Sequence, residues 1–176
     1  DGHAVAIAQS GLVGDDRKGA PTLQDRVFEH LLVGRGPRNA LAGDRSKIRH
    51  LMARGAKLAA DADQKDAFES LGHQVSYETE EALSRATVVV DCTPAGNEMK
   101  EKYYDHVQGP KGFIAQGSEF GFGKPYARGV NDEVLVPGQD RFIQVVSCNT
   151  HNITTLVKTL SREADGSYSL SRGNFV

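Results

Sequence analysis

Cys148 lies in the run Val145-Val146-Ser147-Cys148-Asn149-Thr150, where an apolar stretch gives way to small polar residues. The apolar part, from Arg141 to Ser147, reads as a strand. The residues after it read as a helix with Ile153, Leu156, Val157 and Leu160 on one face. A thiol at such a junction meets unpaired backbone N–H groups and the positive end of a helix, which together favour an anion. The thiolate is the reactive form of cysteine, so the position suits a nucleophile. Ser147, Asn149 and Thr150 add hydrogen-bond donors able to hold an oxyanion or a phosphate oxygen beside it. A buried, inert cysteine closing a strand is the commoner arrangement in general, but the polar company here weighs toward nucleophilic chemistry.

Other elements must bring that junction to a site. Short apolar runs bounded by turn residues recur at 4–8, 73–77, 86–92, 112–116 and 141–147. Helical patterns separate several of them. The stretch 63–72 has Ala67, Phe68 and Leu71 at helical spacing and Gly72 as a stop. At 78–86, Thr79 is an expected N-cap followed by acidic residues. At 97–107, Met99, Tyr103 and His106 or Val107 share one side. Strands alternating with helices predict an α/β fold, a parallel sheet covered by helices. Residues 22–33 and 45–55 read as two further helices, and 11–60 as an insertion between strands. Residues 164–167 carry a turn signal, and 168–176 alternate like a half-exposed strand.

The chain of 176 residues has a formal net charge of -2, which gives no sign of a general nucleic-acid binder. The basic residues Arg35, Arg38, Arg45, Lys47, Arg49, Arg54 and Lys57 read first as a solvated helical face, and second as a site for an anionic ligand. Two cysteines are too few for a disulfide scaffold and lack metal-ligand spacing, so no metal is expected. Free thiols suit a reducing cytoplasm. Nothing approaches the roughly 18 apolar residues that a membrane-spanning helix needs. Cys92 is expected to be buried and inert at the end of a strand. His151, one helical turn past Cys148, is expected to face away from the thiol.

Four segments in register carry a resemblance. The active-site-like run Val145–Ile153, the strand and turn Val88–Gly96, the segment Gly112–Glu119 and the helix–strand–helix Ala67–Leu83 resemble the archaeal-type (type II) phosphorylating glyceraldehyde-3-phosphate dehydrogenases. The match covers residues 54–161 well and the first ten loosely. It implies a Rossmann-like dinucleotide-binding domain, here over residues 1–147, and a nucleophile helix opening a catalytic α+β domain at 148–176. Cys148 would attack an aldehyde carbon, hydride would leave for a nicotinamide, and phosphate would release the thioester. Ser147, Asn149 and Thr150 would hold substrate oxygens. Thr93, Pro94, Ala95 and Gly96 would line the dinucleotide, with Gln116 and Gly117 nearer its nicotinamide. The resemblance also implies a cytoplasmic homo-oligomer, a homotetramer, acting on a phosphorylated aldehyde and inorganic phosphate.

On the choice of cofactor, Gln9 and Ser10 end the first strand where an NAD site usually offers an acidic residue. Ser10 could donate to a 2′-phosphate, which favours NADP over NAD. Two family features have no counterpart. There is no G-x-G-x-x-G after a strand, so the first βα unit is expected to be absent, leaving unpaired edges at the strands 4–8 and 86–92. No residue matches the family's general-base histidine. The chain is therefore expected to be an internal portion of a longer polypeptide, inactive by itself. Two other readings keep parts of the pattern: an aspartate-semialdehyde-type dehydrogenase, and a non-catalytic, degenerate dinucleotide-fold binding module.

Overall fold

The computed structural model describes residues 5–10, 29–34, 42–93, 95–117 and 120–175. Eight strands form one sheet: β1 (Val5–Ser10), β2 (Glu29–Gly34), β3 (Lys57–Ala60), β4 (Val75–Glu78), β5 (Val88–Asp91), β6 (Gly112–Gly117), β7 (Lys124–Tyr126) and β8 (Phe142–Val146). Their spatial order is β4-β3-β2-β1-β5-β6-β8-β7. β1 is antiparallel to both β2 and β5, while every other neighbouring pair is parallel. The α/β, Rossmann-like expectation holds, with one central strand reversed.

That reversed strand answers the question of the missing unit. Instead of two bare edges, β1 pairs directly with β5, Ala6 opposite Asp91 and Gln9 opposite Val88. Unpaired backbone N–H and C=O groups inside a sheet are costly, and the pairing satisfies them from both sides. The helix expected at 22–33 is corrected where it is described, because Glu29–Gly34 forms β2. A local helical pattern loses there to ladders on both flanks, with β1 and with β3. The 11–60 stretch therefore contributes two strands and a helix to the body of the fold. Residues 11–28 and 35–41 lie outside the described residues.

The helices are α1 (Ala42–Ala53), α2 (Lys65–Ser70), α3 (Thr79–Arg85), α4 (Gly96–Met99) and α5 (Cys148–Ser161). β3 shows how they are layered, since alternate side chains point to opposite faces. Leu58 and Ala60 pack with Phe68 of α2 and with Ile48, Leu51 and Met52 of α1. Ala59, between them, packs in a second cluster with Ala82 and Leu83 of α3 and Met99 of α4. Helices thus cover both faces, and β3 is buried on both. Thr79 is not the N-cap of α3 but its first residue, buried, with the extended Glu78 preceding it.

α4 runs without a break into a π-helical turn, Lys100–Tyr104, with Asp105 N–H donating to Lys100 C=O at 3.0 Å. The extra residue in that turn brings two consecutive tyrosines, Tyr103 and Tyr104, into buried positions. Tyr104 stacks on Phe113 at 4.8 Å between ring centroids, and Phe113 on Phe142 at 4.9 Å. Phe122 meets Tyr104 and Phe142 edge-on. Such pairs contribute about 0.5–1.5 kcal/mol each beyond area burial, which ties β6, β8 and the π turn together. Gly123 is required in this packing, because a Cβ there would collide with the Phe142 carbonyl. The strand expected at 168–176 is reduced to one bridge, Arg162 with Tyr168, and the residues after it are exposed. A lone bridge on no sheet edge has no ladder to extend it.

Candidate active site

The carboxyl ends of β5, β6 and β8 lie along one edge of the sheet. Their registers, Asp91 opposite Ala115 and Gly117 opposite Val146, put the turn after Asp91, residues Gln116 and Gly117, and the Ser147–Thr150 segment side by side. Ligands of open α/β sheets bind in the crevice outside this edge.

Cys148 is the first residue of the 14-residue helix α5 and is exposed. Ser147 is its N-cap: the serine Oγ accepts from Thr150 N–H at 3.3 Å and lies 2.9 Å from Thr150 Oγ1. One of the orphan N–H groups of the first turn is satisfied in this way. Asn149 and Thr150 are exposed beside the sulfur. The thiol is therefore open to a substrate, at a capped helix start, with three small polar side chains around it. His151 is committed elsewhere, its Nε2 lying 3.1 Å from the Arg128 carbonyl oxygen.

The turn after β5 is built from its own side chains. Asp91 is buried; its Oδ1 accepts from Thr93 N–H at 2.6 Å and its Oδ2 from the Tyr104 phenol at 2.9 Å. Thr93 Oγ1 in turn accepts from Ala95 N–H at 3.3 Å. Ala95 precedes α4, and Gly96, buried, opens it. Pro94 lies outside the described residues. Asn97 and Lys100 donate to the carbonyls of Phe120 and Phe122, at 2.6 and 2.9 Å, holding the loop after β6 against α4.

Gln116 is exposed at the end of β6, and Gly117 follows with φ of +113°, a backbone that glycine allows at little cost. The Gly117 carbonyl accepts from Gln144 Nε2 at 3.2 Å. Gln144 is a buried polar residue in an apolar strand. Its polarity against Ile143 and Val145 was the available signal in the sequence, and its part in holding Gly117 was missed there.

Two expectations are corrected. Cys92 is exposed rather than buried, since it follows the last residue of β5 and turns off the core-facing register of Val89 and Asp91. Partial burial of its sulfur, and next the Asp91 carboxylate, push its thiol above the usual range, which lowers its reactive fraction. Ser10 does not join the others. It pairs with Glu29, on the side of the sheet where β5 begins, because β1 runs backwards. Among the residues chosen from sequence, Thr93, Ala95, Gly96, Gln116, Gly117, Ser147, Cys148, Asn149 and Thr150 share the carboxyl edge, and Ser10 is at the opposite one.

The dinucleotide implied by the resemblance fits this edge in part. Ala95, Gly96 and Gly117 are small residues on this edge, and a Cβ at Gly117 would meet nothing within 4 Å. At the centre of the sheet, however, the amino end of β1 occupies the edge, and no strand-to-helix turn is placed there among the described residues.

No family model matches the chain. Curated relatives do. The chain is 34% identical over 114 residues to a glyceraldehyde-3-phosphate dehydrogenase of Pyrobaculum calidifontis, covering 61% of this chain and 31% of that protein. It is 32% identical over 168 residues to one of Methanococcoides burtonii, covering 90% of this chain and 45% of the relative. Glyceraldehyde-3-phosphate dehydrogenase 2 of Methanosarcina barkeri is 33% identical over 116 residues. The chain thus spans less than half the length of these relatives. By sequence it is a relative of the archaeal-type glyceraldehyde-3-phosphate dehydrogenases, similar to a part of their chain.

Proposed function

We propose that this chain is the thiol-bearing part of an NAD(P)-dependent, phosphorylating aldehyde dehydrogenase acting on glyceraldehyde 3-phosphate. The observation that carries the reading is the exposed Cys148 at a serine-capped helix start, on the same sheet edge as the Thr93 turn and Gly117. Its sulfur would add to the aldehyde carbon to give a thiohemiacetal. Loss of hydride would leave a thioester, and phosphate would displace the thiolate. Ser147, Asn149 and Thr150 would steady the substrate oxygen as charge develops on it. Thr93, Ala95, Gly96, Gln116 and Gly117 would hold the nicotinamide end of the cofactor, which supplies the hydride acceptor.

The choice between NADP and NAD loses its sequence argument with Ser10 at the far edge, and both belong in the assay. The homotetramer, the cytoplasmic site and the domain division at residue 147 rest on the resemblance. Among the described residues no helix is long and apolar enough to cross a membrane.

The test is reduction of NADP and of NAD with glyceraldehyde 3-phosphate and phosphate, by the full-length polypeptide that contains this sequence. Phosphate-dependent turnover, lost in Cys148→Ser, is expected. Turnover that survives Cys148→Ser would overturn the thiol mechanism. One observation favours a second reading, the binding module: among the described residues, no phosphate-cradling turn lies beside the reversed β1. Cofactor binding without turnover, with Cys148 alkylated at one rate whether or not cofactor is present, would favour that module.

A further inference from the structure

Gln144 is 5% exposed and sits in the middle of the apolar strand β8, between Ile143 and Val145. Its neighbours across the sheet are Ala115 on β6 and Pro125 on β7, both compact side chains. From that level the glutamine reaches to Gly117, two residues beyond Ala115, where Nε2 donates to the carbonyl at 3.2 Å. A longer contact of 3.4 Å joins Nε2 to the Val145 carbonyl. Two carbonyls at one atom fix which way round the amide lies, since only its NH2 group donates.

The other end of the amide is unmatched. Among the described residues, no donor meets the buried Oε1. A buried acceptor without a donor weakens a fold, whereas an apolar side chain of similar size at the same place does not. Ile143 and Val145 show what this strand otherwise uses. A polar group kept although it weakens the fold points to a task beyond the fold.

Gly117 supplies that task. It ends β6 on the carboxyl edge with φ of +113°, and a Cβ there would meet nothing within 4 Å, so no packing on that side restrains it. Glycine backbone turns at little cost. The β6–β8 ladder stops at the Gly117–Val146 pair, and the Gln144 amide is fastened to the residue where it stops. A ligand that packs on a backbone with several orientations loses affinity in proportion to the time the right one is absent.

We propose that Gln144 is a positioning residue for the cofactor, its amide holding Gly117 in the orientation that the nicotinamide end meets. The proposal rests on the reading above, in which Gly117 belongs to the cofactor side of the thiol site, and deepens it by naming the side chain that sets this backbone.

The test uses the full-length polypeptide and two apolar replacements, Gln144→Leu and Gln144→Met, which fill the space without donating. Titration with NADP and with NAD reads affinity, and urea unfolding reads stability. Each variant is expected to bind cofactor about two- to tenfold more weakly than the parent, the worth of one hydrogen bond. Its urea midpoint is expected to equal or exceed the parent's, because the unmatched Oε1 is gone. Alkylation of Cys148 by iodoacetamide without cofactor is expected to keep its rate. Gly117→Ala, whose Cβ disfavours the positive φ, is expected to weaken binding as well. Adding Gln144→Leu to it is expected to change affinity little further, since both act through one peptide. A glutamine with a purely structural role would lower midpoint and affinity together. That result, or unchanged affinity in the two apolar variants, overturns the proposal and leaves the thiol reading standing. A parent that binds neither cofactor overturns the proposal and the cofactor reading with it.

Discussion

Tyr103 donates its phenol to both carboxylate oxygens of Asp61, at 2.9 and 2.7 Å, across 42 residues of sequence. Asp61 follows β3, and Tyr103 sits in the π turn after α4, so this contact closes one side of the sheet's carboxyl edge. Lys102 Nζ adds an ion pair to Asp61 at 3.0 Å. The next residue, Tyr104, donates in the same way to Asp91, the last residue of β5. A regular α-helix turns successive residues about 100° apart, and the π turn relaxes that spacing enough for both tyrosines to face the strand ends.

Asp61 makes stability depend on acid. Partial burial would raise its carboxyl, but the nearby Thr79 hydroxyl, hydrogen bonds from Tyr103 and Lys102, and the Lys102 charge hold it below its unfolded value of 3.8. A depressed carboxylate stabilises the fold above the unfolded value and loses that contribution as pH falls through the folded one. Urea midpoints are expected to be flat from pH 7 to about 5 on this account and to drop below the unfolded value. In Asp61→Asn the acid-dependent part of that drop is expected to shrink; a parent-like profile in the variant would refute the assignment.

Removing one phenol oxygen should separate the two tyrosines. Tyr104→Phe takes a donor from a fully buried carboxylate, and leaving such a group short of a partner costs about 1–3 kcal/mol. Tyr103→Phe leaves Asp61 with Lys102 and partial solvent, so a smaller loss of about 1 kcal/mol is expected. Equilibrium urea unfolding of the two variants orders them, and equal losses would mean that burial does not set the difference.

The N-cap gives a prediction for the thiol. Ser147→Ala removes the acceptor for Thr150 N–H and is expected to cost about 0.5–2 kcal/mol of helix stability. The first turn of α5 then frays, and amide hydrogen exchange at Asn149–His151 is expected to quicken while the core is unchanged. Ser147→Asp, which can also cap, is expected to keep exchange slow. Uniform exchange across all three proteins would show that the cap does not hold the turn.

The two thiols should differ in rate. Both are exposed, but Cys92 has its thiol raised by partial burial and by Asp91. At pH 7 a limiting amount of iodoacetamide is expected to appear at Cys148 before Cys92 in mapped peptides. Neutralising the neighbour in Asp91→Asn is expected to quicken labelling of Cys92. Preferential labelling of Cys92 in the parent would contradict the order.

Gly123→Ala is expected to destabilise strongly, because the added Cβ meets the Phe142 backbone and no flexible side chain can yield. The loss should appear as a lower thermal midpoint with disturbed near-ultraviolet signals from Phe122 and Phe142, which pack there. A midpoint equal to the parent's would mean the start of β7 can shift freely against β8.

Much of the site could be read along the chain. Cys148 falls where an apolar strand meets polar helix-start residues, and β5, β6 and β8 are apolar runs bounded by turn residues. Those are local facts, because strand and helix periodicity and capping chemistry act over a few neighbours. Their order along the chain also carries the relation to the archaeal dehydrogenases. What needed the folded molecule were the long-range choices. The direction of β1, and hence the displacement of Ser10, depends on which strands lie beside it. The strand at Glu29–Gly34 forms where the local pattern favoured a helix, because ladders on both sides outweigh local propensity. The pairing of Tyr103 with Asp61, and the seating of the Arg128 loop on α5, join residues 42 and 23 positions apart. No short-range pattern encodes such contacts, since they arise only when packing brings distant polar groups together.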